Sequence, residues 1–151
     1  MNNVSMKLSE HFSLAEMCKT SANLDNVPNE AQVENLKRLC SWLEMLRSEW
    51  NKRYGEGNDP IIINSGFRSG AVNKAVGGVK GSNHLSGCAA DIRVAGIEQL
   101  IRYATILLDI SDESQEDFDE LLLERSPKGN YWLHFAVRPS GNRRKVRLIQ
   151  T

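Results

Sequence analysis

Three features of the 151-residue sequence predict an α+β fold with a small, mainly antiparallel sheet flanked by helices. Two long stretches repeat apolar residues at three- and four-residue steps, as amphipathic helices do. Several short β-branched or alternating runs read as strands. The two kinds of segment are not arranged as repeated strand–helix–strand units, which argues against a parallel α/β sheet. The length suits one domain over 1–151 that buries its core without disulfides, with that core at about 8–138 and a basic tail over 139–151.

Leu14-Ala15-Glu16-Met17-Cys18 forms a short helix with Ser13 as its N-cap. Ser21 to Pro28 is polar and turn-rich. A long helix then runs from about Asn29 to Arg53, its stripe made by Val33, Leu36, Leu39, Cys40, Leu43, Leu46 and Trp50. Gly55-Glu56-Gly57-Asn58-Asp59-Pro60 ends it. Ile61-Ile62-Ile63-Asn64 is a short buried strand. Ser65 to Gly87 holds six glycines and cannot be fastened by a core of its own side chains; long ordered loops of this kind tend to be functional. Cys88 to Val94 alternates as a strand with Asp91 and Arg93 on one face. Ile97 to Ile110 is a second amphipathic helix, and Ser111 to Asp117 an acidic, solvated connection. Phe118 to Glu124 and Tyr131 to Val137 form a hairpin around Ser126-Pro127-Lys128-Gly129, and Val146 to Ile149 supplies an edge strand.

A formal net charge of zero gives no reason to expect a nucleic acid or other polyanion as partner. The run Arg138 to Arg147 is locally basic and reads as a solvated terminus, with contact to an anionic polymer as the alternative. Cys18, Cys40 and Cys88 are odd in number and show no CxxC spacing, so they read as reduced thiols of a protein made in the cytosol. The first seven residues lack the pattern of a signal peptide, and no apolar run reaches membrane-spanning length. A soluble monomer without membrane contact is expected, and any extracellular substrate would be reached by another route, such as lysis.

The informative segment is Ser82-Asn83-His84-Leu85-Ser86-Gly87-Cys88-Ala89-Ala90-Asp91-Ile92, taken together with His134 in Trp132-Leu133-His134-Phe135. His84, Asp91 and His134 make a candidate three-ligand Zn²⁺ site, which leaves a coordination position open for water as catalytic sites do. Taken singly, His134 between Leu133 and Phe135 reads as a core residue and His84 as polar loop surface; the combination makes the site. The seven-residue step from His84 to Asp91 fits a loop ligand followed by a strand ligand, not one helix face. Cys88 could close the site as a fourth ligand, but its strand parity is opposite to that of Asp91 and turns it toward the core. His11 reads as a surface or staple residue.

Ser65-Gly66-Phe67-Arg68-Ser69 with Val72-Asn73, then Val76-Gly77-Gly78, then Ser82-x-His84-x-x-Gly87-x-Ala89-x-Asp91-Ile92, resembles the zinc D-alanyl-D-alanine metallopeptidases, whose fold is shared with the hedgehog signalling domain. His11 to Met17 and the helix Asn35 to Arg47 resemble the short, single-domain branch found in phages and bacteria. The resemblance spans roughly residues 8 to 138. It implies His84, Asp91 and His134 as the zinc ligands, Arg68 facing a substrate carbonyl or carboxylate, and Ser82 near the substrate. Many members carry an acid three residues before the last histidine, where this sequence has Tyr131, which is no base at neutral pH. The nearest acid is Glu124. If the hairpin turn holds an odd number of residues, Glu124 pairs with Trp132, shares a face with His134 and serves as general base; an even turn removes it.

What the resemblance implies is a zinc-dependent hydrolase cutting an amide bond in peptidoglycan stem peptides, as a D-Ala-D-Ala carboxypeptidase or a phage endolysin-type endopeptidase reaching the cell wall on release. Trp132 and Tyr131 are candidates to line a peptide groove. The alternative is a non-catalytic zinc-binding module of the same fold, which Tyr131 at the usual acid position favours. A metal-free domain is the third reading.

Overall fold

The computed structural model describes residues 6–151; of the amino-terminal stretch read for a targeting signal, residues 1–5 lie outside it. The elements in chain order are α1 (Leu14–Met17), α2 (Glu30–Arg53), β1 (Ile63–Ser65), α3 (Gly70–Ala75), β2 (Ala89–Arg93), α4 (Ile97–Ser114), β3 (Glu120–Arg125), β4 (Tyr131–Ala136) and β5 (Lys145–Gln150). A 3₁₀ turn over Asn83–Ser86 precedes β2. Among the described residues, no helix is long and apolar enough to cross a membrane.

Local chemistry explains the helix starts. Ser13 Oγ accepts a hydrogen bond from Glu16 N at 3.1 Å, and Asn29 and Gln32 form a reciprocal capping box at the start of α2. The stripe of α2 is buried at Leu36, Leu39, Cys40, Trp42, Leu43 and Leu46. Trp42 packs edge-on against Phe118 at 6.4 Å and against Phe135 at 5.4 Å between ring centroids, tying α2 to the sheet. Trp50 meets Tyr103 of α4 in a T-shaped pair at 5.1 Å. His11 is anchored rather than free: its Nδ1 lies 2.6 Å from Glu44 Oε1 of α2.

The sheet order is β1-β2-β4-β3-β5. The β1–β2, β2–β4 and β3–β4 ladders are antiparallel, but β5 runs parallel to β3. The sheet is therefore mixed, which corrects the expectation of a mainly antiparallel one. The period-two pattern of Lys145–Gln150 marks a strand and its faces but carries no information on strand direction. Direction is set by the connection after β4, which crosses the start of β3 and lays the chain along that strand's outer edge.

Asp119 fastens this crossing. Its side chain is fully buried, and it receives Arg143 N at 3.1 Å, Arg143 Nε at 2.9 Å and Arg143 Nη2 at 2.8 Å. Lys145 N also donates to the Asp119 carbonyl at 2.9 Å. Burial works against the charge of this carboxyl, but the bonds from Arg143 and Asn83 outweigh it and hold its pKa down at about 2. The basic segment thus holds the edge strand expected over Val146 to Ile149, as β5, and its Arg143 is anchored on Asp119.

The acidic connection is also more ordered than expected. Helix α4 continues to Ser114, past Ile110. Ser111 is buried, donates to Glu116 O at 2.6 Å and receives Arg144 Nη1 at 2.7 Å, while Arg144 Nη2 reaches Asp112 at 2.8 Å.

Asp119→Asn leaves Arg143 and Arg138, whose Nε lies 3.2 Å from Asp119 Oδ2, without their buried counter-charge. Because both guanidinium groups are partly solvated, the expected loss is about 2 kcal/mol at pH 7 in urea unfolding. The folded-state pKa of Asp119 lies below the unfolded carboxyl value of about 3.9, so its contribution is present above that value and disappears as pH falls through about 2. The stability gap between wild type and Asp119→Asn should accordingly narrow with acidification below pH 4.

Candidate metal centre

Strand parity separates the sheet into a core face and a cleft face. Leu121, Leu133 and Phe135 are fully buried in the core, with Leu123 and Tyr131 packed against it. Alternate residues Glu120, Leu122, Glu124, Trp132 and His134 line a cleft of about 660 Å³ on the opposite side. The β2–β4 register places Asp91 directly across from His134.

The third candidate ligand, His84, arrives from the glycine-rich segment, which is less irregular than the sequence suggested: it contains α3 and the 3₁₀ turn. Other parts of the chain hold it. Asn26 Nδ2 donates to Cys18 O at 2.8 Å and Phe67 O at 2.9 Å. From α2, Gln32 Nε2 donates to Leu85 O at 3.1 Å and Asn35 Nδ2 to Ser86 O at 2.9 Å. Gly87 closes the turn at φ 77°, where a Cβ would also stand 2.6 Å from Gln32 O. The result delivers His84, 3% exposed, beneath the cleft.

His84, Asp91 and His134 each offer a ligand atom within 4.8 Å of the other two. Asp91 Oδ1 lies 3.1 Å from His134 Nδ1 and 3.5 Å from His84 Nε2. Each of the three candidate ligands is braced on its far side. His84 Nδ1 meets Gly66 O at 2.6 Å, Arg68 Nη2 donates to Asp91 Oδ2 at 3.2 Å, and His134 Nε2 meets Glu120 Oε1 at 2.9 Å. Ligands with their other polar atoms occupied are what a metal site needs for fixed orientation. Two imidazoles and one carboxylate form a donor set suited to Zn²⁺. Carboxylates also flank the ring of His134 on both sides. Burial alone would lower the pKa of His134, yet Asp91 and Glu120 on either side of its ring raise it to about 9. Burial likewise opposes ionisation of Asp91, but the two histidines hold its carboxyl well below the usual range.

The other expected residues fall as follows. Glu124 pairs with Trp132 across a connection of five residues, 126–130, so the odd-turn condition holds and the carboxylate lies on the cleft face diagonal to His134. Burial pushes its pKa up. Arg68 lines the cleft, and besides Asp91 it donates to Ser65 Oγ at 3.1 Å and Asn73 Oδ1 at 3.3 Å. Ser82 Oγ accepts from His84 N at 3.1 Å, so it caps the 3₁₀ turn at the cleft edge. Cys88 is buried and stands outside the ligand cluster. Tyr131 packs toward the core and does not line a groove with Trp132. Glu120 was missed by the sequence reading; its signal was its parity with Glu124 on a strand paired to that of His134.

A sequence model of the peptidase M15 family matches residues 10–110, about two thirds of the chain, including His84 and Asp91. The chain belongs to the M15 peptidase family. It is also 48% identical over 40 residues to the zinc D-Ala-D-Ala carboxypeptidase of Streptomyces albus G. That match covers 26% of this chain and 16% of the relative's length. His134, Glu120 and Glu124 lie beyond the residues matched to the M15 family, so their inclusion in the site rests on the β2–β4–β3 register.

The protein dialysed against chelator and reloaded should bind one zinc ion per chain by elemental analysis. Arg68→Ala frees Asp91 to rotate and should raise the zinc Kd about 10-fold or more; His84→Ala should abolish stoichiometric binding.

Proposed function

We propose that this M15 peptidase hydrolyses an amide bond in peptidoglycan stem peptides at the cell wall, as a D-Ala-D-Ala carboxypeptidase or an endopeptidase of the endolysin type. The observation that carries the reading is a three-ligand cluster with a separate carboxylate, Glu124, raised in pKa on the same face of the cleft. Family membership supports peptidase chemistry, and the zinc D-Ala-D-Ala carboxypeptidase of Streptomyces albus G supports the cofactor and the substrate class.

The cofactor is Zn²⁺, held by His84, Asp91 and His134. Zinc supplies a Lewis acid that polarises an amide carbonyl and acidifies water. Glu124 takes the proton from the attacking water and returns it to the leaving amine, a task suited to a carboxylate whose pKa is lifted toward neutrality. Arg68 uses three of its five N–H donors within the protein. The remaining two are available to a substrate carbonyl or carboxylate, where a guanidinium stabilises developing negative charge. Ser82 stands at the same edge as a further substrate contact, and Trp132 offers an apolar surface to the peptide.

In this chain Tyr131, at the customary acid position, has the opposite parity to His134 and packs against the core. The acid that reaches the cleft here comes from the neighbouring strand, where Glu124 lies. A non-catalytic zinc-binding module, the alternative reading, would keep zinc without turnover.

Mass spectrometry of muropeptides after incubation with zinc-loaded protein should show loss of a terminal D-Ala or scission of a stem or cross-bridge amide; intact muropeptides of several chemotypes would overturn the proposal. Glu124→Gln should keep its zinc and lose about 10²–10⁴-fold in kcat. Because the base must be ionised, wild-type kcat/KM should fall on the acid side, with its midpoint above the ordinary glutamate value of about 4.3.

A further inference from the structure

β3 brings two glutamates to the cleft, and they meet different surroundings. Glu124 has no hydrogen bond to a ligand. Glu120 lies 2.9 Å from His134 Nε2, the ring nitrogen opposite the one that faces Asp91. A metal held by His134 Nδ1 is out of reach of an oxygen bonded to Nε2, so Glu120 is not a fourth ligand. An ionised carboxylate there can only accept, which keeps a ring proton on Nε2 and makes Nδ1 the nitrogen that gives up its proton to a metal.

Glu120 is itself held. Asn83 Nδ2 donates to Glu120 Oε1 at 2.8 Å and to Asp119 Oδ2 at 2.8 Å, and Asn83 Oδ1 accepts from Arg138 Nε at 2.9 Å. Asn83 is buried and directly precedes His84. The residue beside the loop ligand thus anchors the partner of the hairpin ligand, and the same amide touches the carboxylate that fastens the β5 crossing.

We infer that Glu120 is a positioning residue that fixes the tautomer and ring orientation of His134, with Asn83 as its anchor. This inference rests on the metal site of the proposed function. Chelator competition and the visible spectrum of the Co²⁺-substituted protein test it together. Glu120→Ala should raise the zinc Kd about 10–100-fold and shift the Co²⁺ d–d bands. Glu120→Gln keeps an acceptor oxygen for Nε2–H and should stay within about threefold of wild type with an unshifted spectrum, whereas Glu120→Met, which fills the same space without an acceptor oxygen, should behave like Glu120→Ala. Asn83→Ala should move both readouts in the direction of Glu120→Ala. Unchanged Kd and bands in Glu120→Ala, or Glu120→Gln no better than Glu120→Ala, would overturn it. If Glu120→Ala does not fold, Glu120→Asp takes its place: its shorter reach should weaken zinc binding, and an unchanged Kd overturns the inference. A wild type that binds no zinc overturns both this and the proposed function, whereas a zinc-binding wild type beside an indifferent Glu120→Ala overturns this inference alone.

Discussion

The antiparallel register that sets Asp91 opposite His134 is the constraint on which the rest of the site depends. A one-residue slip of β4 against β2 would turn His134 into the core and bring Leu133 or Phe135 to the cleft. The slip is opposed by burial of Leu133, Phe135, Ala90 and Ile92 on the core face, where Trp42 covers Phe135. The hydrophobic face therefore specifies the chemical face. A single β-strand side cannot supply three ligands and a base without crowding, so the third ligand is brought by the loop that α2 and Asn26 hold down.

The same sheet separates its carboxylates by environment. Asp91 is hemmed by two imidazoles and a guanidinium and stays ionised, as a metal ligand must be. Glu120 is drawn down to about 2, by its bond to His134 against the effect of burial and with help from Asn83, which suits a permanent acceptor and not a base. Glu124, two residues along β3, is raised by burial between Trp132 of β4 and Ile149 of β5, its pairing partners on either side. Neighbouring titratable groups with pKa values driven apart are the usual mark of divided roles. β5 thus contributes to the chemistry: without it, β3 would be an edge strand and Glu124 more solvated.

Much of this was legible in the sequence because it is written in local patterns. The stripe of α2, the Ser13 cap and the alternation around Asp91 and His134 follow from spacing, whereas the parity of the hairpin turn that carries Glu124 to the cleft face was open in the sequence and is decided by the β3–β4 register. What was not legible depends on partners distant in the chain. The parallel pairing of β5 is set by buried Asp119 meeting Arg143, and neither residue stands out in a charge run. The last turn of α4, past Ile110, is bonded at Ser111 and Asp112 by Arg144, far along the chain. Glu120 looked like one more acid at a strand start until the β3–β4 register placed it on the ring of His134. Residues that orient ligands announce themselves through geometry, since their chemistry is ordinary.

The most direct test of the account is a crystal structure of the zinc-loaded protein with anomalous data at the zinc edge. One ion should appear within coordination distance of His84 Nε2, an Asp91 carboxylate oxygen and His134 Nδ1, about 2.0–2.2 Å, with His134 Nε2 still on Glu120. An ion elsewhere, or any of those three side chains outside coordination reach, would contradict it.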